Sequence, residues 1–506
     1  MLDQFLLGLS TVLDPAVFGY ALIGVVIGQL IGVLPGIGAI TAISLLLPVT
    51  FHLDATTSII MLAGIYYGSQ YGGSIASILL NLPGTPSSVV TCLEGHPMAK
   101  NGQAGKALVV TATSSFLGSV IGCTVVVLAA IPMAKLALKF GAPEYTMLVT
   151  LGLLAATMIG TGSQIRALAM VVLGIFLGLV GSDITSGVYR YVPVPELADG
   201  ISLVSLAMGL FGLSELIRNI GQRERRKVNV KITLRDILPS REEARSLIGP
   251  VLRGGSTGSF FGALPGTGAA IASFMAYAME KRVSKTPENF GTGVLQGLSG
   301  PESANNAAAQ TSFIPTLTLG IPGDAVMALM VGALILNGVI PGPNLMTNEP
   351  ELFWGVIASF LVGNVILFMI NLPLIRLWVM LLRIPYHRLY PVIILMITAG
   401  VYSHRNSVVD VIMTLLFGLM GYALKRYRFE AAPVLLGFVL GPMLEENFRR
   451  TMLLNGGDFT VFVTRPISAV ITIIAIFVIV FSVVTTWQAA KRTAVQNGPQ
   501  KTKRQG

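Results

Sequence analysis

A glycine-patterned stretch occurs twice in this chain, and it restricts the possible folds more than any other feature of the sequence. In each copy, glycines four residues apart lead into a Leu-Pro-Gly-x-Gly motif. The copies are Gly24, Gly28 and Gly32 before Leu34-Pro35-Gly36-Ile37-Gly38, and Gly254, Gly258 and Gly262 before Leu264-Pro265-Gly266-Thr267-Gly268. All matched positions share one offset (264 − 34 = 230), which indicates an internal duplication.

The stretch has a specific physical meaning inside a membrane. Glycines at this spacing lie on one helix face and let another backbone approach closely, as in helix association within lipid. A Pro-Gly pair then ends or breaks the helix, because proline lacks an N–H and glycine accepts unusual dihedral angles. Breaks at matching places of two halves are typical of transporter binding sites; the alternative is a tight seam followed by an ordinary turn. We predict structural hinges at Gly36, Gly38, Gly266 and Gly268.

Composition indicates a membrane protein. Of the 506 residues, 53% are hydrophobic and 11% are charged, and the mean hydropathy is +0.75. Apolar runs such as 353–372 and 467–487 are long enough to span a bilayer. We therefore predict an all-α polytopic membrane protein, since a β-barrel would show short alternating strands. The N-terminal segment lacks a basic leader region, so we expect the first helix to be retained.

Charge and cysteine content narrow the range of partners. The net charge of +10 does not indicate nucleic acid, because the basic residues lie in short loops and at the C-terminus, as in cytoplasmic segments of membrane proteins. The partner that the composition implies is the lipid bilayer. Two cysteines, Cys92 and Cys123, provide neither a disulfide framework nor a metal site.

The duplication defines the predicted domain organisation. The units are a first transmembrane repeat (1–217), a basic cytoplasmic linker (218–246), a second transmembrane repeat (247–450), an extra C-terminal transmembrane helix (451–490) and a basic cytoplasmic tail (491–506).

Loop charges predict how the two repeats are oriented. Three pairs of aligned loops differ, with one copy basic and the other nearly free of Lys and Arg, while the loops near Lys135 and Arg376 are basic in both copies. The pairs are 281–285 against 51–55, 100–106 against 337–351, and 425–428 against 185–190. Because cytoplasmic loops carry the excess of Lys and Arg, this pattern indicates inverted-topology repeats. It puts the N-terminus in the periplasm and the C-terminus in the cytoplasm.

A second pair of Pro-Gly motifs contains the candidate binding residues. Leu82-Pro83-Gly84-Thr85 aligns with Ile321-Pro322-Gly323-Asp324, and the segment 71–88 is too polar and interrupted for a plain lipid-facing helix. Two such hairpins meeting at the membrane midplane bring together helix N-termini, which attract anions, while unwound carbonyls and polar side chains hold Na⁺. The candidate substrate- and ion-binding residues are Asn81, Gly84, Thr85, Ser87 and Ser88 in the first repeat and Asn305, Asn306, Gln310, Thr318, Gly323 and Asp324 in the second.

Each of these residues also has a structural interpretation. Asp324 is the only carboxylate inside a motif, and an intramembrane acid is usually functional, which predicts a role in ion or proton coupling. It is equally suited to be the N-cap of the following helix. The amides and hydroxyls could instead bond helix to helix. Tyr66, Tyr67 and Tyr71 could line the site or pack in the core.

Signals for an enzyme or a cofactor are weak. Ser256 lies in a G-x-S-x-G pattern, but the two glycines belong to the duplicated seam, and Val26 stands at the matching position. The four histidines lie in separate loops without metal-site spacing, and the chain has no Walker motif. We therefore predict no enzymatic activity, no cofactor and no metal beyond Na⁺ at the hairpins. The alternatives are a channel, whose filter pattern is missing, and an intramembrane enzyme.

Several motifs together resemble one known family. They are the doubled Leu-Pro-Gly-x-Gly stretch, Tyr71-Gly72-Gly73-Ser74, Asn81-Leu82-Pro83-Gly84-Thr85-Pro86, Gly95-His96-Pro97-Met98-Ala99-Lys100 and Gly320-Ile321-Pro322-Gly323. To about residue 450, the chain resembles the large membrane subunit of tripartite tricarboxylate transporters (the TctA family). The resemblance implies no ligand residues.

The resemblance implies a permease of the bacterial inner membrane that imports di- or tricarboxylates or related organic anions with a Na⁺ or H⁺ gradient. Its partners would be a small four-helix membrane subunit and a periplasmic solute-binding protein. Combined with the duplication, it predicts two inverted repeats whose Pro-Gly hairpins move past a fixed scaffold in an elevator-like displacement.

Overall fold

The computed structural model describes residues 2–34, 38–157, 164–183, 186–219, 238–265, 267–371, 373–374 and 390–480, and most of them are helical. Two of the predicted hinge glycines, Gly36 and Gly266, lie outside these ranges, as do most of the predicted linker and the whole of the predicted tail.

The first half contains ten helices within the described residues. They are α1 (Leu2–Leu13), α2 (Pro15–Val33), α3 (Gly38–Leu46), α4 (Ala55–Leu80), α5 (Val89–Lys100), α6 (Ala104–Ala137), α7 (Ala142–Ala156), α8 (Gln164–Gly178), α9 (Leu203–Ala207) and α10 (Ser214–Asn219). A π-helical segment, Met208–Leu213, joins α9 to α10, and a short hairpin pairs β1 (Gly181–Ser182) with β2 (Tyr189–Arg190). Short 3-10 turns cover Leu47–His52, Pro86–Ser88 and Pro195–Leu197.

The second half has a similar series. Its helices are α11 (Arg241–Gly262), α12 (Gly268–Val283), α13 (Leu295–Thr311), α14 (Phe313–Leu319), α15 (Ala325–Leu336), α16 (Leu345–Asn348), α17 (Pro350–Asn371), α18 (Tyr390–Arg405), α19 (Val408–Arg426), α20 (Ala432–Leu454), α21 (Val461–Thr464) and α22 (Pro466–Val480). A 3-10 turn covers Pro287–Asn289. Helix α20 continues past residue 450, and α22 occupies the position of the extra C-terminal helix.

Four of the described helices are long and apolar enough to cross a membrane. They are α2, α6, α17 and α19, and shorter apolar helices include α1, α8, α15 and α22. Together with the helical content, these candidate spans confirm the prediction of an all-α membrane protein. Helix α1 has 12 residues and precedes α2. It packs against α17 at Gly8, where a Cβ atom would lie within 2.1 Å of the Trp354 carbonyl oxygen.

The duplicated glycines make the same contact in both halves. Cβ atoms on Gly24, Gly28 and Gly32 of α2 would lie 2.2, 2.3 and 2.5 Å from carbonyl oxygens of Met61, Ile65 and Ser69 of α4. Cβ atoms on Gly254, Gly258 and Gly262 of α11 would lie 2.2, 2.2 and 2.5 Å from those of Gly300, Ala304 and Ala308 of α13. The contacted residues also match between halves (300 − 61 = 239). Only glycine permits these two backbone-to-backbone seams.

Matched positions also share their backbone conformation. Gly38 and Gly268 both have φ +62° at the start of α3 and α12. Asn81 and Gly320, each just before a Pro-Gly motif, end α4 and α14 in the left-handed conformation, with φ +56° and +71°. Asparagine is among the few residues other than glycine that adopt this conformation readily.

The segment 71–88 differs from the interruption that the sequence suggested. Helix α4 is continuous to Leu80, and the break comes only after it, at Asn81. All of its residues from Thr57 to Leu79 are buried, so its glycines and polar side chains contact other helices. The prediction that this segment is not a plain lipid-facing helix agrees with that burial up to Leu79, whereas Asn81, Pro83 and Pro86 are exposed.

Helices α4 and α13–α14, which hold equivalent positions in the two halves, pack in opposite directions. Near the middle of α4, the Tyr67 ring lies 6.4 Å from that of Phe313. Farther along α4, the Ser74 hydroxyl donates to Glu302 at 2.8 Å. The partner number falls as the α4 number rises, so the helices are antiparallel at this crossing.

Candidate functional site

The first Pro-Gly motif is attached to α4 by hydroxyl groups. Thr85 and Ser87 both direct their hydroxyls to the Gln70 side-chain oxygen, at 3.3 and 2.7 Å. Ser88 Oγ accepts from the Thr85 backbone N–H at 3.1 Å and donates to the Thr85 carbonyl at 2.9 Å. These bonds hold the turn that begins α5, and all four side chains are buried.

The second motif is attached to the same helix by a carboxylate. Asp324 caps α15, where its Oδ1 accepts from the Met327 N–H at 2.9 Å. Its Oδ2 accepts from the Tyr66 hydroxyl at 3.3 Å. Asp324 is therefore the N-cap that the structural interpretation expected, and it also contacts the other repeat. A Cβ atom on Gly268 would lie 3.1 Å from this side chain, which brings one predicted hinge to the motif.

The two motifs therefore lie against adjacent turns of α4. Tyr66 and Gln70 are four residues apart, on one face of the helix. The Ser273 hydroxyl of α12 adds a direct link between the halves, because it donates to the Ser87 carbonyl at 3.0 Å. Four predicted site residues, Thr85, Ser87, Ser88 and Asp324, are brought together in this way. Gln70, which holds two of them, was not among the predicted site residues.

The glycines of the two motifs have different surroundings. A Cβ atom on Gly84 would lie 2.4 Å from the Gly32 carbonyl oxygen and 2.5 Å from the Gly73 Cα. A Cβ atom on Gly323 would meet nothing closer than 3.4 Å, an ordinary contact. Gly84 is therefore required by packing, whereas the space around Gly323 admits a methyl group.

Other predicted residues have local structural bonds. Asn81 is an exposed helix cap, and the Thr318 hydroxyl donates to the Ile314 carbonyl of its own helix at 2.6 Å. The Asn306 amide donates to the Glu302 carbonyl at 3.1 Å and to the Asn305 side-chain oxygen at 2.5 Å. Asn81 thus caps α4 and Thr318 bonds within its own helix, whereas Asn305 and Asn306 lie beside Glu302.

Glu302 is a buried residue that is not among the predicted site residues. Its side chain is fully buried in α13, and it accepts hydrogen bonds from three hydroxyls. Ser74 donates to Oε1 at 2.8 Å, Ser115 donates to Oε2 at 3.0 Å, and Thr91 also donates to Oε1. An acidic residue in an otherwise small and uncharged segment, 297–312, was the available signal, but it lies outside the Pro-Gly motifs.

A second buried carboxylate, Glu94 of α5, has a structural role. It accepts from the Tyr277 hydroxyl at 2.9 Å and from the backbone N–H groups of Gly291, Gly293 and Val294 at 2.6, 2.8 and 2.8 Å. Three of these donors lie in the loop between α12 and α13 and the fourth, Tyr277, lies in α12, so both elements are fastened to the first half. The carboxylate therefore holds the two halves together.

The tyrosines and Arg253 are also accounted for by packing. Tyr66, Tyr67 and Tyr71 are buried in the core, in agreement with the core-packing alternative, although Tyr66 also reaches Asp324. Arg253 forms a bidentate pair with the buried Glu280, at 2.8 and 2.7 Å.

Comparisons with known proteins agree with the motifs. The model of a family described as the tripartite tricarboxylate transporter TctA family matches residues 18–436. An uncharacterized 52.8 kDa protein in the TAR-I ttuC' 3' region of Agrobacterium vitis is 50% identical over 470 residues, which cover 93% of each chain. An uncharacterized protein in the TAR-II ttuC' 3' region of the same organism is 57% identical over 212 residues, 42% of this chain and 88% of that protein. No solved structure matches this chain.

Proposed function

Because the chain belongs to the tripartite tricarboxylate transporter TctA family, we propose that it is the large permease subunit of a binding-protein-dependent secondary importer. The family is a transporter family, so the chain is a membrane transport component and not an enzyme. Its cargo would be di- or tricarboxylates or related organic anions, and a Na⁺ or H⁺ gradient would drive uptake. A periplasmic solute-binding protein would deliver the anion, and a small four-helix membrane subunit would complete the complex in the bacterial inner membrane.

The observation that carries this proposal is the attachment of both Pro-Gly motifs to adjacent turns of α4. The hydroxyls of Thr85, Ser87 and Ser88 lie at the turn that begins α5, where free N–H groups and the helix dipole favour a carboxylate. Asp324 on the other motif repels an anion and attracts a cation. The first motif therefore favours an anion and the neighbouring second motif favours a cation, as a cation-coupled anion carrier needs.

We further infer that the halves are inverted repeats that move as an elevator. The seams repeat at constant offsets, and α4 crosses its counterpart α13–α14 in the opposite direction. Equivalent helices run in opposite directions when a two-fold axis in the plane of the membrane relates the two repeats. The loop charges favour the same arrangement. In this mechanism the hairpins carry the anion across while the glycine seams keep each repeat rigid.

Uptake by the reconstituted complex tests the function. Proteoliposomes that contain the chain and its membrane partner, with the binding protein added, should accumulate radiolabelled citrate, or the anion that copurifies with the binding protein, when a Na⁺ or H⁺ gradient is imposed. Accumulation should saturate and should stop when an ionophore removes the gradient. Flux at ion-channel rates, or uptake that ignores every gradient, would contradict the proposal.

A double variant tests the site. Thr85→Val with Ser87→Ala removes both hydroxyls that meet Gln70, and we expect uptake to fall about tenfold or more, as for the loss of two hydrogen bonds to a ligand or its holding residue. Ser256→Ala is the matched control, because Ser256 is exposed on α11. If the double variant takes up the anion as fast as the wild type does, the first motif is not part of the site.

A further inference from the structure

We propose that Glu302 binds the coupling cation, a Na⁺ ion or a proton, in the core of the protein. The proposal rests on the proposed function, because only a gradient-driven carrier needs such a site. It adds to Asp324, which attracts a cation at the second motif, a further cation-binding carboxylate outside the Pro-Gly motifs.

The position of Glu302 is the first argument. Four helices meet at its carboxylate: α13, which carries it, and α4, α5 and α6, which supply Ser74, Thr91 and Ser115. These donors are buried as well. Among the residues that the structure describes, no Lys, Arg or His forms an ion pair with Glu302, whereas Glu280 and Glu144 each have an arginine.

Within the described part of the chain, this arrangement gives the Glu302 carboxylate hydrogen-bond donors but no positive charge. An ionised carboxylate in a low-dielectric interior is strongly destabilised unless a positive charge accompanies it. A proton or a bound cation would neutralise Glu302, and the three hydroxyl oxygens retain lone pairs that suit Na⁺. One carboxylate with neutral oxygens fits a monovalent cation better than a divalent one, which recruits several acids. In the described ranges, no three His, Cys, Asp or Glu side chains form a metal-binding group.

Buried oxygens along the same seam are the second argument. Ser119 lies one turn after Ser115 on α6, and Gln310 lies two turns after Glu302 on α13. Each is 1% exposed. Gln310 Oε1 has no hydrogen-bond partner among the described residues, and the Ser119 hydroxyl lies beside that of Tyr71. The two helices touch here, since a Cβ atom on Gly122 would lie 3.2 Å from Gln310 Oε1. A buried oxygen without a donor is suited to receive a cation or its water.

Helix α4 connects Glu302 to the proposed transport site. Tyr66, Gln70 and Ser74 are spaced four apart, and they contact Asp324, the first motif and Glu302 respectively. Thr91 makes a second connection, because it lies on α5, directly after the first motif. A cation bound at Glu302 would therefore affect both motifs through side chains that contact one another, as coupling requires.

Substitution of Glu302 tests the proposal in the reconstituted complex. Glu302→Gln keeps the size and removes the charge. We expect it to lower gradient-driven accumulation about tenfold or more. One-for-one exchange of labelled anion across the membrane should continue. Glu288→Gln is the control, since Glu288 is exposed, and it should behave as the wild type.

Two gradients imposed separately identify the cation. A Na⁺ gradient at equal pH and a pH gradient without Na⁺ distinguish Na⁺ from H⁺ in the wild type, and Glu302→Gln should lose the response to the effective one. If Glu302→Gln keeps that response, the proposal is wrong while the proposed function stands. If the wild type responds to neither gradient, both are wrong.

A milder variant covers the case in which Glu302→Gln does not fold. Ser115→Ala removes one donor, and we expect it to raise the cation concentration for half-maximal uptake several-fold, roughly as one lost hydrogen bond predicts. Size-exclusion chromatography checks that the protein folds. An unchanged half-saturation concentration in folded Ser115→Ala would overturn the proposal.

Discussion

At the residue scale, one face of α4 contains much of the candidate site. Tyr66, Gln70 and Ser74 recur every four residues, and each accepts from or donates to a different element. Gln70 is the central member, because a single amide oxygen accepts from two hydroxyls of the first motif. The spacing of these side chains follows from helix geometry alone.

The two Pro-Gly motifs should respond differently to the same small substitution. Gly84→Ala puts a methyl group within 2.5 Å of two backbones, whereas Gly323→Ala makes only ordinary contacts. We expect Gly84→Ala to destabilise the fold by about 1–3 kcal/mol, as overpacking does, and to abolish uptake. Gly323→Ala should remain folded and active. Thermal unfolding in detergent and citrate uptake measure both effects, and equal tolerance at the two sites would contradict the packing argument.

At the element scale, each repeat is built on a seam between a helix with glycines four residues apart, α2 or α11, and a buried helix, α4 or α13. The seams bring backbones close enough that no side chain fits between them. In lipid, where apolar side chains gain little by associating, such close packing is a main source of helix association. The halves are then joined by polar contacts, such as those of Glu94 with the loop before α13.

One helix contains both the variant and its control for testing the seam. Gly28 of α2 faces the Ile65 carbonyl, which a Cβ atom would approach to 2.3 Å, whereas a Cβ atom on Gly19 would meet nothing within 4 Å. Gly28→Ala should lower the melting temperature by several degrees, as expected for a loss of about 1–3 kcal/mol. Gly19→Ala should leave it unchanged or raise it slightly, because alanine favours helix by about 1 kcal/mol. A decrease of similar size in both variants would contradict the seam as the cause, because Gly19 has no neighbour that a methyl group would meet.

At the scale of the whole molecule, the arrangement of the repeats decides which loops face which compartment. The inverted repeats that we propose would place the loop after α5 in the cytoplasm and the loop after α15 in the periplasm. Both loops are accessible, with Asn101 exposed and Ile340 83% exposed.

Cysteine labelling from outside the cell tests this topology. In a variant without Cys92 and Cys123, Ile340→Cys should react with a membrane-impermeant maleimide in spheroplasts. Asn101→Cys should react only after permeabilisation, because its loop is basic and belongs on the cytoplasmic side. The cysteine-free parent is the control for background labelling. Reaction of both cysteines from the same side would exclude the inverted arrangement.

Local patterns were predictable for physical reasons that particular residues illustrate. Glycines at 24, 28 and 32 define one helix face, and Pro-Gly pairs mark helix breaks, so the seams and the ends of α4 and α14 follow from short-range rules. The membrane character follows from composition. Asp324 was identifiable because it is a carboxylate within an apolar motif, and the structure adds that it caps α15 and meets Tyr66.

Long-range partners were not predictable by the same rules. Gln70 and Glu302 became candidates only when their partners, 15 to 228 residues away, were seen to surround them. Asn81 and Thr318 were chosen by residue type, yet one is an exposed helix cap and the other bonds to its own helix. Residue type alone does not distinguish a ligand from a helix cap, since both use the same oxygen and nitrogen atoms.

The sequence by itself determined that this chain is a duplicated helical membrane protein of a tricarboxylate transporter family, because hydropathy, glycine spacing and motifs are properties of neighbouring residues. Only the tertiary structure decided which polar side chains meet: both motifs on one face of α4, and three hydroxyls around Glu302. The reason is that burial and hydrogen bonding depend on residues brought together from both halves, and no local pattern specifies that proximity.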